Sequence, residues 1–375
     1  MKRTLLFVLC SFFALALAAK TVTPATSLPT YYKDINGKSG KSLFDAVQKV
    51  TKTGYSSLGY DGLWTAFKTT DKKSNGQVWD MYSNCDYSHG SKKCGSYKDE
   101  CDCYNREHSI PQSWWGGGTS GIGCDIFHVL PTDGYVNNRR GNLPFGEVSS
   151  ASYTSHNGSK VGGGKGIVNS QKTIAASSGT TTSAPGGNVF EPINQYKGDL
   201  ARGIMGTMAS WNRDLTSSEG SKFFKSSYTV STNFGLTPYG VALLMKWHRQ
   251  DPVSQKEIDR NNAVYKHQKN RNPFIDYPYL AEYIWGDKKN ETMLLDDLLS
   301  SSDDEFIPGE SDGSREDVVH TPVLSVSNTT VNFPSVLVDE ESSVSIKVTG
   351  VYLTSNVTLT ISGEDADMFE TSRSS

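Results

Sequence analysis

The sequence lacks any long apolar stretch beyond its first residues, which excludes a membrane-spanning helix from the rest of the chain. The apolar run that it does have, Leu5 to Leu17, follows the basic residues Lys2 and Arg3 and precedes the small residues Ala18 and Ala19. This order is typical of a secretory signal peptide, so we expect residues 1–19 to be removed on export. A membrane anchor is the alternative, but the run is too short to span a bilayer comfortably.

Cysteine is also scarce, with six residues in a chain of 375. Cys10 leaves with the signal peptide, and five cysteines then remain: Cys85, Cys94, Cys101, Cys103 and Cys124. In an exported protein we expect disulfides, and an odd number leaves at least one thiol free or paired between molecules. Cys101 and Cys103 are separated by one residue, so each is expected to pair elsewhere. A zinc site is the competing interpretation, but a paired C-x-x-C arrangement is missing.

Charged residues are few, at 21% of the chain, and the net charge of −3 conceals an uneven distribution. Of 40 acidic and 37 basic residues, 16 acidic and three basic ones lie from Leu295 onward, which leaves 24 and 34 in residues 1–294. A basic body with an acidic tail suits a polyanionic ligand on the body. Many solvated surfaces are basic, so the charge by itself does not identify a ligand.

Residues 20–290 are predicted to form one domain, because no linker-like stretch separates their motifs. Three helices are indicated, at residues 43–51 with Ser42 as N-cap, at 238–249 with Thr237 as N-cap, and at about 254–269 with a Ser254–Glu257 capping box. The aromatic residues expected in the core are Trp247, Phe274, Tyr277 and Trp285. Residues 149–189 are rich in Ser, Thr and Gly, and are expected to be a surface insertion.

The chain changes character beyond residue 290. Residues 291–320 are acidic and polar, which predicts a flexible linker. After Pro322, the segments LSVSNTTVNF, SVSIKVTG and VTLTISG alternate apolar and polar residues, which indicates a small β-sandwich of the immunoglobulin-like kind in residues 321–375. A full sandwich needs roughly 100 residues, so we expect this module to be incomplete.

The densest cluster of reactive side chains is CYNREHSIPQSWW, residues 103–115, in which Glu107 lies next to His108. Neighbours on a strand point to opposite faces, but at a bend or a strand end they can converge on one site. A histidine can remove a proton from water near neutral pH, and a Glu carboxylate binds a hard cation such as Mg²⁺. A solvated charged pair is the alternative interpretation.

A second cluster follows in DIFHVLPTDGYVNNRRGNLPFG, residues 125–146. Residues 125–130 predict a short strand that Pro131 ends, and Thr132 is expected to cap a short helix. An Asn amide oxygen on that helix would complement Glu107 around Mg²⁺, and its two arginines offer donors for phosphate. The arginines could equally form a solvated helix face, and His128 is expected to be a buried, hydrogen-bonded histidine.

The hydrolase motif H-E-x-x-H is absent, and G-x-S-x-G occurs once, at residues 309–313, within the acidic segment that is predicted to be a linker. Four segments resemble, in this order, the endonuclease I family, the ββα-metal nucleases of the bacterial periplasm and secretions: CYNREHSIPQSWWGG, DIFHVLPTDGYVNNRRGNLPFGEV, FEPINQYKGDLARGIM and WHRQDPVSQKEIDRNNAVYKHQKNRNPFIDYP. The resemblance covers residues 30–286. It implies an α+β fold, with a ββα-metal core inside a mixed helical domain.

The same resemblance implies how the reaction centre is built. His108 would be the general base that activates the attacking water, and Glu107 would bind the divalent metal. The Asn ligand of the helix maps to Asn137, within Tyr-Val-Asn, with Asn138 and Asn142 as alternatives. The metal would stabilise the charge on the phosphorus and the leaving 3′-oxygen.

The resemblance also implies contacts to the substrate. Arg140 or Arg139 would bind the scissile phosphate, while Arg106, Asn142 and Arg271 are candidates for substrate contact. Arg106 could instead form a structural ion pair, and Arg271 could instead support the active-site helix. Such a site touches the backbone more than the bases, so weak sequence preference and activity that falls with salt are expected.

The implied cofactor is a divalent metal, Mg²⁺ before Mn²⁺ or Ca²⁺, and the implied partner is DNA, RNA or both. We expect a secreted or periplasmic monomer whose mature chain does not enter a membrane. Cys94 and Cys103 lie where a disulfide would fit the family. The alternative function is a non-catalytic protein that binds nucleic acid or a surface, with the sandwich as its adhesive part.

Overall fold

The computed structural model describes residues 27–168, 181–183, 187–215 and 233–303, with shorter pieces at 306, 308–309, 323–326, 342–346, 348–351, 360–362 and 368–369. The predicted signal peptide, residues 1–19, lies outside the described residues. Within the part of the chain that is described, no helix is both long enough and apolar enough to cross a membrane.

Helices and short antiparallel sheets alternate along the chain. The helices are α1 (Leu28–Tyr31), α2 (Gly40–Lys52), α3 (Gly59–Thr70), α4 (Gly134–Arg140), α5 (Lys197–Leu215), α6 (Pro238–Gln250), α7 (Gln255–Gln268), α8 (Pro273–Asp276) and α9 (Leu280–Ile284). The strands are β1 (Tyr104–His108), β2 (Val129–Asp133), β3 (Val148–Thr154), β4 (Lys160–Gly164), β5 (Ile167–Val168), β6 (Thr181–Thr182), β7 (Asn188–Glu191), β8 (Val323–Val326) and β9 (Val348–Val351). The predicted α+β class is confirmed.

Helix α2 buries the apolar face that its sequence spacing predicts. The positions Leu43, Phe44, Val47 and Val50 are all buried. The helix begins earlier than predicted, at Gly40, with Ser39 as its N-cap. The prediction of Ser42 as N-cap is therefore wrong; its hydroxyl donates to the Ser39 carbonyl at 2.8 Å from within the first turn.

Helices α6 and α7 begin where their capping residues predict. The Thr237 hydroxyl accepts from the Gly240 amide, and Pro238 follows it at the first helical position. Ser254 and Glu257 form the complete capping box. Helix α5 packs against α2 and α6, and around these three helices the four predicted core aromatics are buried: Trp247, Phe274, Tyr277 and Trp285.

Strands β1 and β2 form an antiparallel pair in which Glu107 lies opposite Leu130 and His108 opposite Val129. The second strand starts later than predicted, because residues 125–128 form a turn in which the Asp125 carbonyl accepts from the Val129 amide at 3.0 Å. Pro131 does not end the strand but pairs with Arg106 within it. This sheet has two strands, so both have an open edge, where a proline that lacks an N–H is tolerated.

Helix α4 follows β2 without a loop. Its N-cap is Asp133, whose side chain accepts from the Val136 amide at 2.8 Å, so the prediction of Thr132 as cap is wrong by one residue. The helix stops at Gly141, whose φ of +53° is a conformation that glycine adopts without strain. The strand–strand–helix order places the end of β1 beside α4.

The predicted surface insertion at residues 149–189 is largely structured where it is described. Strands β3, β4 and β7 form one antiparallel sheet, and Val161, Val189 and Phe190 from it are buried. The small side chains that hid this sheet from sequence analysis are needed for packing: a Cβ on Gly162 would lie 2.1 Å from the Ser150 carbonyl oxygen. Residues 169–180 and 184–186 lie outside the described residues.

The chain after residue 290 continues to pack on the same body, although a flexible linker was predicted there. Met293, Leu295 and Leu298 join the main core, and Phe306 packs against a smaller apolar cluster that includes Val253. The rest of the predicted linker, residues 310–320, lies outside the described residues. Further on, β8 and β9 pair antiparallel. The immunoglobulin-like sandwich in residues 321–375 stays a prediction.

Candidate active site

The Glu107 side chain is buried between β1 and α4. Its Oε1 accepts hydrogen bonds from the Tyr82 hydroxyl at 2.8 Å and from Arg140 Nη1 at 2.7 Å. Burial raises the pKa of the Glu107 carboxyl, while the Arg140 charge and the Tyr82 hydrogen bond oppose that rise. Both of these side-chain donors bind Oε1, and among the described residues no side-chain hydrogen bond to Oε2 is present.

Arg140 lies in the interior rather than at the surface, with its side chain only 1% exposed. Besides Glu107, its guanidinium donates to the His108 carbonyl at 2.8 Å and to the Ser109 carbonyl at 2.6 Å. A guanidinium enclosed in this way cannot reach a substrate phosphate. The placement does not fit the predicted phosphate contact, and instead makes Arg140 the residue that holds Glu107 and the end of β1 against α4.

The His108 ring points away from Glu107, as alternation along a strand requires. It stacks on Tyr60, and its Nε2 lies 3.0 Å from the Gly123 carbonyl oxygen. A carbonyl only accepts, so Nε2 carries the proton and Nδ1 carries the lone pair. Burial, together with the neighbouring His128, lowers the pKa of His108 to about 3. The ring is therefore neutral at neutral pH, with an Nδ1 that has no hydrogen-bond partner among the described residues.

His128 is anchored in the same way on the same turn. Its Nε2 lies 2.7 Å from the carbonyl oxygen of Ile122, one residue before the carbonyl that holds His108. Burial lowers the pKa of His128 to about 4. The predicted burial of His128 is confirmed. Its Nε2 is hydrogen-bonded, but its Nδ1 is buried without a hydrogen-bond partner among the described residues.

Asn137 is half-buried on α4, three residues before Arg140. Residues three apart lie on one side of a helix, and Arg140 holds that side against β1. A carboxylate oxygen from Glu107 and an amide oxygen from Asn137 are hard ligands, which fit a cation such as Mg²⁺. No hydrogen bond between described residues joins the side chains of Glu107 and His108; Arg140 links them through the His108 carbonyl.

A second group of side chains at ligand distance does not fit a metal. Among the described residues, Cys85, Cys101 and His156 are the one set of His, Cys, Asp and Glu side chains whose ligand atoms lie close enough together. The two sulfurs are bonded to each other in a disulfide. Metals bind thiolates, so this set is not a metal centre.

Arg106 is held by the N-terminal end of α3. Its Nη1 donates to the Tyr60 carbonyl at 2.7 Å and to Asp61 at 3.1 Å, and its guanidinium lies 3.5 Å from the centre of the Tyr60 ring. Tyr60 thus contacts both Arg106 and His108. The structural ion pair that was one of two expectations for Arg106 is present, and the residue also lies next to the candidate base.

The remaining predicted contacts lie in different surroundings. Arg139 is exposed on α4, where it donates to the Tyr135 hydroxyl and lies over the rings of Tyr135 and Tyr153. Asn142 is exposed just beyond α4. Arg271 is buried in an ion pair, with both Nε and Nη2 donating to Asp276 at 2.7 Å. This burial favours the supporting role of Arg271 over substrate contact.

Two disulfides stabilise the segment that leads into β1. Cys94 pairs with Cys103, as predicted, and Cys85 pairs with Cys101, so the two closely spaced cysteines have separate partners. The odd thiol among the described residues is Cys124, which is buried and donates to the Thr119 carbonyl at 2.8 Å. Burial raises the pKa of the Cys124 thiol.

Sequence analysis did not identify Tyr82 or Gly123, which orient Glu107 and His108. Tyr82 lies 25 residues before Glu107 along the chain, in a segment without a recognisable motif. Gly123 acts through its backbone carbonyl, which no residue type reveals. Asp80 is a further unforeseen residue, since its carboxylate accepts from the backbone amides of Tyr82 and Asp133.

Comparison with known proteins identifies the family of the chain. The chain is 32% identical over 278 residues to an extracellular ribonuclease of Bacillus amyloliquefaciens, which covers 72% of this chain and 82% of that protein. It is also 32% identical over 281 residues to an extracellular ribonuclease of Bacillus subtilis strain 168, with 72% and 83% covered. Residues 39–279 match the sequence profile of Endonuclease I. The chain therefore belongs to the endonuclease I family, a family of nucleases that hydrolyse phosphodiester bonds.

Proposed function

We propose that this protein is an exported, divalent-metal-dependent endonuclease that hydrolyses RNA, DNA or both with weak sequence preference. The observation that carries the proposal is the state of His108. Its Nε2 is fixed on the Gly123 carbonyl, so the ring presents an Nδ1 lone pair that has no hydrogen-bond partner among the described residues. A lone pair held in this way can accept a proton from a water molecule.

In the proposed reaction, His108 Nδ1 removes a proton from a water molecule as the water oxygen attacks the phosphorus. The bond from phosphorus to the 3′-oxygen breaks, the leaving oxygen takes up a proton from a solvent water, and His108 later returns its proton to solvent. Proton removal in the transition state contributes typically 10²–10⁴-fold to the rate. The carbonyl of Gly123 keeps Nε2 protonated, so the proton is accepted at Nδ1 throughout.

Glu107 and Asn137 would hold the metal. Glu107 is fixed by Tyr82 and Arg140 at Oε1, which leaves Oε2 for the ion, and Asn137 supplies an amide oxygen from α4. A bound divalent metal supplies charge stabilisation at the phosphorus and at the leaving oxygen. The role of Arg140 in this proposal is to position Glu107, because it is buried.

Arg139, which is exposed on α4, and Asn142, which is exposed just beyond it, would contact the substrate backbone. The sequence analysis assigned the contact with the scissile phosphate to Arg140 or Arg139. Because the Arg140 side chain is enclosed, we assign this contact to Arg139. The relatives named extracellular ribonucleases support RNA as a substrate and export as the destination. DNA remains part of the proposal because both polymers carry the same phosphate oxygens, and contacts to these oxygens do not depend on the sugar or the base.

The test is digestion of a plasmid and of a long RNA by the purified mature protein, with Mg²⁺, Mn²⁺ or Ca²⁺ and with EDTA. We expect cleavage with at least one metal and none with EDTA. We also expect His108→Ala to lose at least about 10²-fold in kcat while its circular dichroism stays unchanged. Binding of nucleic acid without cleavage under every condition would instead indicate the non-catalytic alternative.

A further inference from the structure

A large groove lies beside α2 and the short helical turn before it. Its volume is about 1120 Å³, and four lysines line it: Lys33, Lys38, Lys49 and Lys52. Two acidic residues, Asp34 and Asp45, also line it. Asp45 is already bound to Lys41 on the preceding turn of α2, at 2.5 Å. The groove therefore carries a net positive charge.

Three of these lysines have no opposing charge in contact. Among the described residues, Lys33, Lys38 and Lys49 form no ion pair, although many other lysines of the body do. Lys33 and Lys49 are exposed, and Lys38 is half-buried. Cations gathered in a concave surface attract and concentrate anions.

Gln48 points to a ligand independently of charge. It lines the groove but is only 5% exposed, and its Nε2 is buried with no hydrogen-bond partner among the described residues. Buried polar groups in native proteins are nearly always hydrogen-bonded, because an unpaired donor costs free energy. An amide without an acceptor, set among lysines, is suited to an anionic oxygen.

A chain of contacts connects the groove to the turn that holds His108. Lys52 at one end of the groove lies 4.1 Å from the centre of the Trp211 ring. Trp211 packs edge-on against Tyr55, and the Tyr55 hydroxyl donates to the Gly121 carbonyl at 3.3 Å. Gly121 begins the turn, Gly121–Cys124, that contains the carbonyl on which His108 is fixed.

We propose that this groove, lined by Lys33, Lys38, Lys49 and Gln48, binds the phosphodiester backbone of the substrate strand at a distance from the bond that is cut. The inference rests on the proposed nuclease function and extends its substrate contact beyond the reaction centre. It predicts that the groove matters for long substrates and not for short ones. It also predicts a salt dependence that comes partly from these lysines.

The experiment compares Lys33→Glu/Lys49→Glu with Lys160→Glu/Lys266→Glu, a control with the same change in net charge at two exposed lysines outside the groove. Protein sites for single-stranded nucleic acid typically cover about 4–16 nucleotides. The substrates are therefore a labelled RNA of about 4 nucleotides, which is too short to extend beyond the reaction centre, and one of about 30 nucleotides, which can also reach the groove. Binding of the longer RNA is measured in EDTA at several salt concentrations. Cleavage of both RNAs is measured with the active metal.

The groove variant should bind the longer RNA more weakly and reduce the magnitude of the slope of log K against log salt by about 1.4, which is about 0.7 for each lysine on a single strand. Its KM for the longer RNA should rise, while its kcat and its cleavage of the short RNA stay at the wild-type level. Gln48→Met, which keeps the size and removes the donor, should also weaken binding of the longer RNA. Its melting temperature should not fall, because it removes an unpaired buried amide.

Equal binding of the longer RNA by wild type, groove variant and control would overturn the inference while short-RNA cleavage still supports the nuclease. An equal loss in both double variants would also overturn it, since it would show a general charge effect. Failure of wild type to cut either RNA, or a plasmid, would overturn the proposed function instead.

Discussion

The ion pair between Arg140 and Glu107 is enclosed at both ends, with side-chain exposures of 1% and 3%. Two charges taken out of water lose their hydration, and their attraction together with further hydrogen bonds must offset that cost. Arg140 meets this condition through two backbone carbonyls, and Glu107 through Tyr82. Removing either partner leaves an uncompensated charge in the interior.

Arg140→Met should therefore lower the free energy of unfolding by about 3–5 kcal/mol, measured by urea denaturation of the metal-free protein. Arg139→Met is the matched control on the next residue of α4. Since Arg139 is exposed, its replacement should change stability by less than about 0.5 kcal/mol. Equal stabilities for the two variants would contradict the buried pair.

His128 should make the fold sensitive to mild acid. Its pKa is about 4 in the fold and about 6.5 when unfolded, so the neutral ring contributes stability above pH 6.5 that is lost as the pH falls towards 4. At pH 5 this loss is about 2 kcal/mol. In His128→Gln, the decrease in unfolding free energy from pH 7 to pH 5 should be smaller by that amount. The same decrease in variant and wild type would disprove the assignment.

At this scale the sequence is informative about the proposed reacting groups and uninformative about the residues that orient them. Glu107, His108 and Asn137, to which we assign the reaction, stand in contiguous motifs, and the chemistry proposed for them follows from residue type. Tyr82 and Gly123 reach the site from elsewhere in the chain, and Gly123 acts through a backbone atom. The sequence also cannot say which of two adjacent arginines is buried, because that depends on the rotation of a seven-residue helix.

The two disulfides act on an element that has almost no regular structure of its own, the segment between α3 and β1. Cys85 and Cys101 are 16 residues apart, and Cys94 and Cys103 are nine apart. Tyr82 lies just before the crosslinked segment, and Cys103 directly precedes β1, the strand that carries Glu107. Crosslinks limit the freedom of the unfolded chain, and more so for the longer loop.

Cys85→Ala/Cys101→Ala should lower the free energy of unfolding by about 3 kcal/mol under oxidising conditions. Cys124→Ala is the control that removes a cysteine without removing a crosslink. Urea denaturation of the two variants should separate them clearly. A double variant as stable as wild type would mean that this pair does not form in solution.

The sequence predicts the helices whose first residues carry a capping motif. It does not predict the strands whose residues are explained by contacts with distant parts of the chain. Helices α6 and α7 begin at side chains that satisfy their first amides, so position follows from sequence. Strand β2 contains a proline that sequence rules treat as a terminator, and only its open edge makes Pro131 acceptable. Strand β4 is rich in glycine because Ser150 approaches closely, and this gave the appearance of a loop.

On the scale of the whole molecule, the described body continues past the predicted boundary at residue 290. The Met293 amide donates to the Lys38 carbonyl at 2.8 Å, and the Gly309 amide donates to the Val253 carbonyl at 2.8 Å. Segments from both ends of the described body thus pair with each other. The acidic composition of residues 291–320 concealed the few apolar side chains that anchor them.

A chain of residues 20–290 should therefore be less stable than one of residues 20–309. Four buried apolar side chains lie between the two ends, Met293, Leu295, Leu298 and Phe306, and burial of each contributes about 1.5–3 kcal/mol. The shorter chain should lose about 5 kcal/mol or more, seen as a lower melting temperature in calorimetry. Equal melting temperatures would show that residues 291–309 are dispensable.

The buried thiol of Cys124 gives access to the motion of the turn that holds His108. It follows Gly123 directly, and among the described residues it is the one cysteine outside a disulfide. A thiol reagent can alkylate a buried thiol only when its surroundings open, so the rate of labelling reports how often this turn opens. Mass spectrometry can measure that rate in the native protein without a substrate.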